Sequence, residues 1–232
     1  MNLNKLLTVY CDFDGTITQS DTIDTLLAAL ANPIWMEIEA EWERGEIGSL
    51  ECLARQIPLI KGGWKAVEAQ IKKIKLDPTF KDFTNWCLNK NIPIVIVSEG
   101  LDKIIKYLLQ RDGIIVDAIW ANHLIESPTG ELNISFPQPK AYNDCRSGLC
   151  KCTTLDMSYP QSIKLIIGDG LSDLCWSKHA DLFFAKSKLL NYCKINNVSC
   201  NSFENFKDIQ SKLEKLLEEN ILKVTDSSIE KT

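Results

Sequence analysis

Three apolar runs, each cut off by a polar residue, constrain the fold of this chain more than any other feature. Residues 6–11 stop at Asp12, residues 92–97 at Ser98, and residues 163–167 at Gly168-Asp169. Runs of this kind, rich in β-branched side chains, belong to strands buried on both faces of a parallel sheet. Residues 182–185 form a shorter fourth run. Helical periodicity fills the gaps, over residues 78–89, 101–110, 153–157 and 171–178. Strand and helix alternate, so the expected class is α/β with a mostly parallel sheet. Such a sheet binds ligands outside the carboxyl ends of its strands. Here three separate segments deliver polar groups to that one edge.

Two segments break the alternation. Residues 17–77 are helical by period, over 22–31, 34–44, 49–57 and 64–74, and are long enough for a small helical cap inserted after the first strand. The expected division is a core of residues 1–16 and 78–232 with a cap of residues 17–77. Residues 119–136 read as a β-hairpin around Ser127-Pro128-Thr129-Gly130. An amphipathic helix over about residues 203–222 closes the fold, and the polar tail 226–232 is expected to fray.

With 232 residues and 45% apolar content, the chain can bury a full core and carry a smaller appendage. A net charge of −5 gives no basic footprint, which argues against nucleic acid as the main partner. An anionic substrate must therefore find local positive charge. No leader-like segment and no span of about 18 apolar residues is evident, so no membrane partner and a cytoplasmic location are expected. Nine cysteines, an odd number spread through apolar segments, read as reduced and mostly buried small hydrophobes.

The chemistry concentrates in the strand-end motifs. In Asp12-Phe13-Asp14-Gly15-Thr16, two carboxylates at i and i+2 lie close enough to share a cation. Like charges that close resist joint ionisation unless something offsets them. Mg²⁺ does so with a few carboxylate oxygens, water and phosphate oxygens. In Gly168-Asp169-Gly170-Leu171-Ser172-Asp173, Asp169 can complete that cation site and Asp173 can hold a water or an outer ligand. The metal candidates are thus Asp12, Asp14, Asp169 and Asp173, with Mg²⁺ as the expected cofactor. In Ser98-Glu99-Gly100, a hydroxyl and backbone N–H groups are placed to bind a phosphoryl oxygen. Taken singly, each motif has a plainer reading as a helix N-cap. Lys151, 18 residues before Asp169, opens a helix leading into that strand.

In this order and on these elements, the four segments resemble the haloacid dehalogenase superfamily, in its phosphoserine-phosphatase-like branch. The resemblance implies a Rossmann-like core with a small helical cap. It makes Asp12 the nucleophile, Asp14 the general acid and base, Ser98 and Lys151 phosphoryl-binding groups, and Asp169 a metal ligand. Thr16, Glu99 and Gly100 are further candidates on the phosphate side. The cap would supply the substrate's other contacts through Asp21, Arg55 and Gln56, placed by approximate alignment with the head-group residues of phosphoserine phosphatases. Pro33-x-Trp35-Met36, Asn122-His123 and Cys145-x₄-Cys150-Lys151 resemble the 2-hydroxy-3-keto-5-methylthiopentenyl-1-phosphate phosphatases. The cysteine pair before the lysine is also similar to phosphoethanolamine/phosphocholine phosphatases.

The expected activity is Mg²⁺-dependent hydrolysis of a small phosphorylated metabolite through an aspartyl-phosphate. The alternative class is a non-catalytic module that binds a phosphorylated ligand or zinc. Cys145, Cys150, Cys152 and His123 are the zinc candidates, although C-x₄-C-x-C is not the usual knuckle spacing. Closure of Cys145 with Cys150 or Cys152 as a disulfide is the other reading of that cluster.

Overall fold

The computed structural model describes residues 7–137, 145–219 and 222. Position 6 and the tail 226–232 lie outside the described residues. The strands are β1 (Leu7–Cys11), β2 (Ile94–Leu101), β3 (Ala118–Glu126), β4 (Leu132–Ser135), β5 (Ile163–Gly168), β6 (Leu182–Ala185) and β7 (Asn201–Ser202). The helices are α1 (Thr22–Leu30), α2 (Trp35–Glu43), α3 (Ser49–Gln56), α4 (Gly63–Ile71), α5 (Phe80–Asn89), α6 (Asp102–Asp112), α7 (Lys151–Ser158), α8 (Leu174–Ser177), α9 (Ser187–Ile195) and α10 (Phe206–Glu218).

All seven strands join one sheet in the order β4-β3-β2-β1-β5-β6-β7. Every pairing is parallel except β3 with β4, which forms the expected hairpin. Because side chains alternate along a strand, the central strands feed two cores. Val9, Cys11, Ile94, Ile96, Leu165 and Ile167 face the helices α5, α6 and α10. Tyr10, Val95, Val97 and Ile166 face Leu155, Trp176 and Leu189 on the opposite side. Burial on both faces explains why these strands read as unbroken apolar runs.

From β1 the sheet grows in opposite directions, to β2 on one side and β5 on the other. The carboxyl end of β1 is therefore a topological switch point, where open α/β sheets leave a crevice. Asp12 leaves β1 there, its N–H donating to the Ile167 carbonyl at 3.0 Å.

Several boundaries differ from expectation. The second apolar run does not end at Ser98, because β2 continues to Leu101. Val97 pairs with Trp120 and Leu101 with Asn122, so four steps on β2 match two on β3. Ser98-Glu99-Gly100 is the resulting bulge, and the Ser98 hydroxyl accepts from the Gly100 N–H at 2.9 Å. The helix expected over 171–178 is a 3₁₀ turn at Leu171–Asp173 followed by the short α8. α7 begins two residues early, which places Lys151 in its first turn.

Residues 17–77 supply four helices. Their two connections to the sheet run side by side, through an antiparallel bridge between Thr18 and Leu76. The Gln19 N–H donates to Lys75 and the Asp77 N–H to Ile17. The insertion thus leaves and rejoins through a narrow two-stranded neck.

Candidate active site

The three strand-end motifs meet at the switch point. Lys151, in the first turn of α7, donates to Asp12 Oδ1 at 2.8 Å and to Asp173 Oδ1 at 2.7 Å. All three side chains are buried, and the ammonium also lies 5.2 Å from the centroid of the Trp176 ring. The other Asp173 oxygen accepts from the backbone N–H groups of Asp169 at 3.1 Å and Gly170 at 3.2 Å. Asp173 therefore holds both Lys151 and the turn that carries Asp169. Asp169 Oδ1 accepts from the Thr16 hydroxyl at 2.9 Å.

Asp14 occupies the adjoining corner. Its Oδ1 accepts from the Thr22 N–H at 2.9 Å, and its Oδ2 lies 3.4 Å from the Ser98 hydroxyl. Two glycines permit this crowding. A Cβ on Gly100 would stand 2.5 Å from Asp14 Oδ2, and one on Gly15 would stand 2.5 Å from Asp169 Oδ2. Gly15 also has φ +73°, a left-handed conformation that suits glycine.

Burial dominates the electrostatics. It pushes the Asp12 carboxyl well above the usual carboxylate range, with the Asp173 charge adding and Lys151 opposing. Burial raises Asp14 as well, against the hydrogen bonds from Thr22 and Ser98. It raises Asp169 against the bond from Thr16. For Lys151, burial works against the charge, but the charges of Asp12 and Asp173 outweigh it and hold the ammonium above its ordinary range.

Asp12, Asp169 and Asp173 each bring a carboxylate oxygen within 4.8 Å of the others. The donors are all hard oxygens, and one ammonium touches two of the three carboxylates, so negative charge remains to be balanced. That chemistry fits a hard divalent cation. The Asp14 carboxylate is not in this trio, since its oxygens turn to Thr22 and Ser98. The four zinc candidates do not form a ligand set. Among the described residues, His123, Cys145, Cys150 and Cys152 form no group of three ligands, and the His123 ring instead meets Asp102 at 3.2 Å.

Glu99 lies in the β2 bulge but turns to the helical insertion, where its carboxylate takes the Ser49 hydroxyl at the start of α3. Burial raises its pKa, and the bonds from Ser49 and Ser147 oppose that shift. Asp21 caps α1 by accepting from the N–H groups of Ile23 and Asp24. Burial and then the neighbouring Asp14 charge push its pKa well up. The structure does not bring Arg55 or Gln56 to the carboxylate cluster. Arg55 spans Glu41 and Glu51, while the Gln56 amide donates to Glu39 Oε2 at 2.8 Å and to the Trp35 carbonyl. Both tie α3 to α2.

Lys186 escaped the sequence reading. It follows β6 directly and donates to the Thr16 carbonyl at 3.0 Å, and its charge favours ionised Asp169. The strand-end rule applied to the fourth apolar run would have found it.

The pattern of the haloacid dehalogenase-like hydrolases matches residues 9–178, which include Asp12, Asp14, Ser98, Lys151, Asp169 and Asp173 but not Lys186. The chain belongs to this family. This hydrolase is similar to the 2-hydroxy-3-keto-5-methylthiopentenyl-1-phosphate phosphatase of Bacillus thuringiensis (strain Al Hakam). The two are 30% identical over 217 residues, spanning 90% of this chain and 97% of the relative. It is 29% identical over 231 residues to Pdp3-interacting factor 1 of Schizosaccharomyces pombe, covering 93% and 98% of the two chains. A substrate-bound phosphoserine phosphatase shares the fold with a TM-score of 0.65 at 19% identity, over 95% of this chain and 100% of that one. Among the described residues, no helix is long and apolar enough to cross a membrane.

Proposed function

We propose that this hydrolase is a phosphomonoesterase for a small phosphorylated metabolite. One observation carries the reading. A buried lysine clamps Asp12 to Asp173 at the sheet's switch point, while Asp14 waits beside Ser98 on the neighbouring strand. A carboxylate oxygen of Asp12 attacks phosphorus in line, forming the Asp12 O–P bond as the bond to the leaving oxygen breaks. Asp14, whose burial favours its protonated form, gives its proton to the leaving alkoxide. As a carboxylate it then takes a proton from the water that hydrolyses the aspartyl-phosphate. Lys151, the Ser98 hydroxyl and the bulge around Gly100 hold the phosphoryl oxygens. Mg²⁺ held by Asp12 and Asp169, with Asp173 beside them, would offset their repulsion and neutralise charge on the phosphoryl group.

Residues 17–77 act in this reading as a lid over the strand ends, excluding water and contacting the leaving group. The first substrate candidate is 2-hydroxy-3-keto-5-methylthiopentenyl-1-phosphate, supported by the 30% identity to its phosphatase over most of the chain. Phosphoethanolamine, phosphocholine and phosphoserine are the alternatives. Phosphoserine is least favoured, because Arg55 is already held by Glu41 and Glu51 and so is not free for an amino-acid carboxylate.

Phosphate release from these four compounds and from p-nitrophenyl phosphate, with Mg²⁺ and with EDTA, tests the proposal. One natural substrate should stand out. EDTA should stop its turnover, and Asp12→Asn should lower kcat by about a thousandfold or more with an unchanged far-UV spectrum. Near-normal turnover by that variant would sink the mechanism. Equal, negligible release with and without metal across the panel would favour a binding module instead.

A further inference from the structure

Six of the nine cysteines fall into three neighbouring pairs close enough to influence each other's ionisation: Cys145 with Cys150, Cys152 with Cys175, and Cys193 with Cys200. The pairs differ in access. Cys150 and Cys193 are buried, so two of the pairs have one member shielded from solvent. In the pair that remains, Cys175 is exposed and Cys152 partly so. Cys175 stands on α8 with its Sγ 3.5 Å from the Ser172 carbonyl. Cys152 comes directly after Lys151 in the first turn of α7. The thiols therefore join the same two segments as the Lys151–Asp173 ion pair.

We propose that Cys152 and Cys175 form an oxidisable dithiol, a modification site that a peroxide closes to a disulfide. The Cys175 sulfur attacks a peroxide oxygen. With hydrogen peroxide this breaks the O–O bond, gives the sulfenic acid and releases one water. The Cys152 sulfur then attacks the sulfenic sulfur, the S–S bond forms, and the sulfenic oxygen leaves as a second water with the Cys152 proton. In sum, two thiols and one peroxide give one disulfide and two waters. A small-molecule or protein thiol reverses the closure by exchange.

A disulfide fixes its sulfurs about 2.05 Å apart with a set dihedral, so closure pins the first turn of α7 to α8 beside the Lys151–Asp173 ion pair. Lys151 rides on α7 one residue from the new bond, and its hold on Asp12 depends on the register of that first turn. A shift of about 1 Å in a catalytic group can cost about a hundredfold in rate. The effect on turnover rests on the phosphatase reading above; formation of the bond does not.

The test treats the intact chain with hydrogen peroxide, alkylates the remaining thiols, and analyses unreduced peptides by mass spectrometry beside Mg²⁺-dependent phosphate release. Expected are a Cys152–Cys175 linked peptide, loss of turnover by about a hundredfold, and recovery of both with dithiothreitol. Cys175→Ser, an isosteric change at an exposed position, should melt at the wild-type temperature, form no such peptide and keep its activity under peroxide. Cys145→Ser should behave as the wild type. Absence of the Cys152–Cys175 peptide, or predominant linkage elsewhere, overturns the site. A linked peptide with unchanged turnover, or equal peroxide sensitivity in Cys175→Ser, overturns the coupling to Lys151. A chain that forms the peptide but hydrolyses no phosphomonoester before oxidation overturns the phosphatase reading and leaves the dithiol standing.

Discussion

Lys151 is one buried ammonium shared by two buried carboxylates, and Asp169 adds a third negative group a few ångströms away. Removing the lysine would strand two charges, a loss of about 3–5 kcal/mol for a broken buried pair. The same crowding predicts how metal and protons compete. A carboxyl whose folded pKa lies above its unfolded value binds its proton more tightly in the fold. Its contribution is full below the unfolded pKa and is lost as pH rises through the folded one. Asp12, Asp14 and Asp169 are all raised. The metal-free protein should therefore lose stability as pH rises through those raised values, while Mg²⁺ substitutes for the missing protons. The increase in melting temperature caused by Mg²⁺ should grow between about pH 5 and about pH 8. Reading this difference cancels groups far from the site. A Mg²⁺ increment that is flat or shrinks over that range would contradict the cation site. At this scale the sequence exposes polar residues placed directly after a buried strand, which is why Asp12, Asp14 and Asp169 stand out. It does not expose partners chosen by the fold, such as Thr22, whose N–H donates to Asp14 Oδ1 at 2.9 Å.

At the scale of elements, the loop between α2 and α3 makes a polar clasp on the segment leading into α7. The Arg146 guanidinium donates to the carbonyls of Gly45 at 3.1 Å and Glu46 at 2.6 Å, and its own carbonyl accepts from the Leu50 N–H at 3.1 Å. Gly48 lies so close that a Cβ there would collide with Arg146, and Ser49 reaches Glu99 beside it. Hydrogen bonds of this kind are worth about 0.5–1.5 kcal/mol each, enough to bias the proposed lid without locking it. Arg146→Ala deletes two of them. It should lower kcat/KM for a substrate with a large leaving group by about five- to a hundredfold, chiefly through KM, and leave Mg²⁺ affinity within about twofold. Equal losses on p-nitrophenyl phosphate and on the natural substrate would mean that the clasp does not bear on substrate retention. Period and burial make β1, β2, β5, β6 and most helices legible, because one strand or one amphipathic face carries its own signal. The clasp, β7 and the parallel half of β3 are not legible, because each depends on a partner remote in sequence. β7 is two residues long and is defined by its pairing with β6.

For the whole molecule, the proposed lid role of residues 17–77 depends on which of their contacts is held more weakly. One side is anchored by apolar packing. Ile23, Leu26, Leu27, Ile57, Val67 and Ile71 join the same buried cluster as Ile96 on the sheet and Leu132 on the hairpin. Polar contacts reinforce that side, where the Trp64 N–H donates to Glu126 at 2.8 Å and Lys103 lies 4.0 Å from the Trp64 ring centroid. A second, weaker attachment is the clasp at residues 45–50, held by hydrogen bonds that water can replace. The neck at Thr18 and Leu76 joins the unit to the sheet by one bridge and its flanking bonds. Apolar packing resists separation more strongly than exposed polar contacts, so a lid of the kind proposed should pivot along the hairpin side and open at the clasp. Hydrogen exchange with Mg²⁺ and beryllium fluoride, an analogue of the phosphorylated aspartate, reads this motion directly. Amides at 45–50 and 146–151 should exchange at least about tenfold more slowly in the complex, whereas those at 60–67 should change little. Protection gained at 60–67 with none at 45–50 would place the hinge at the clasp. No change in either segment would mean that residues 17–77 do not close over the strand ends.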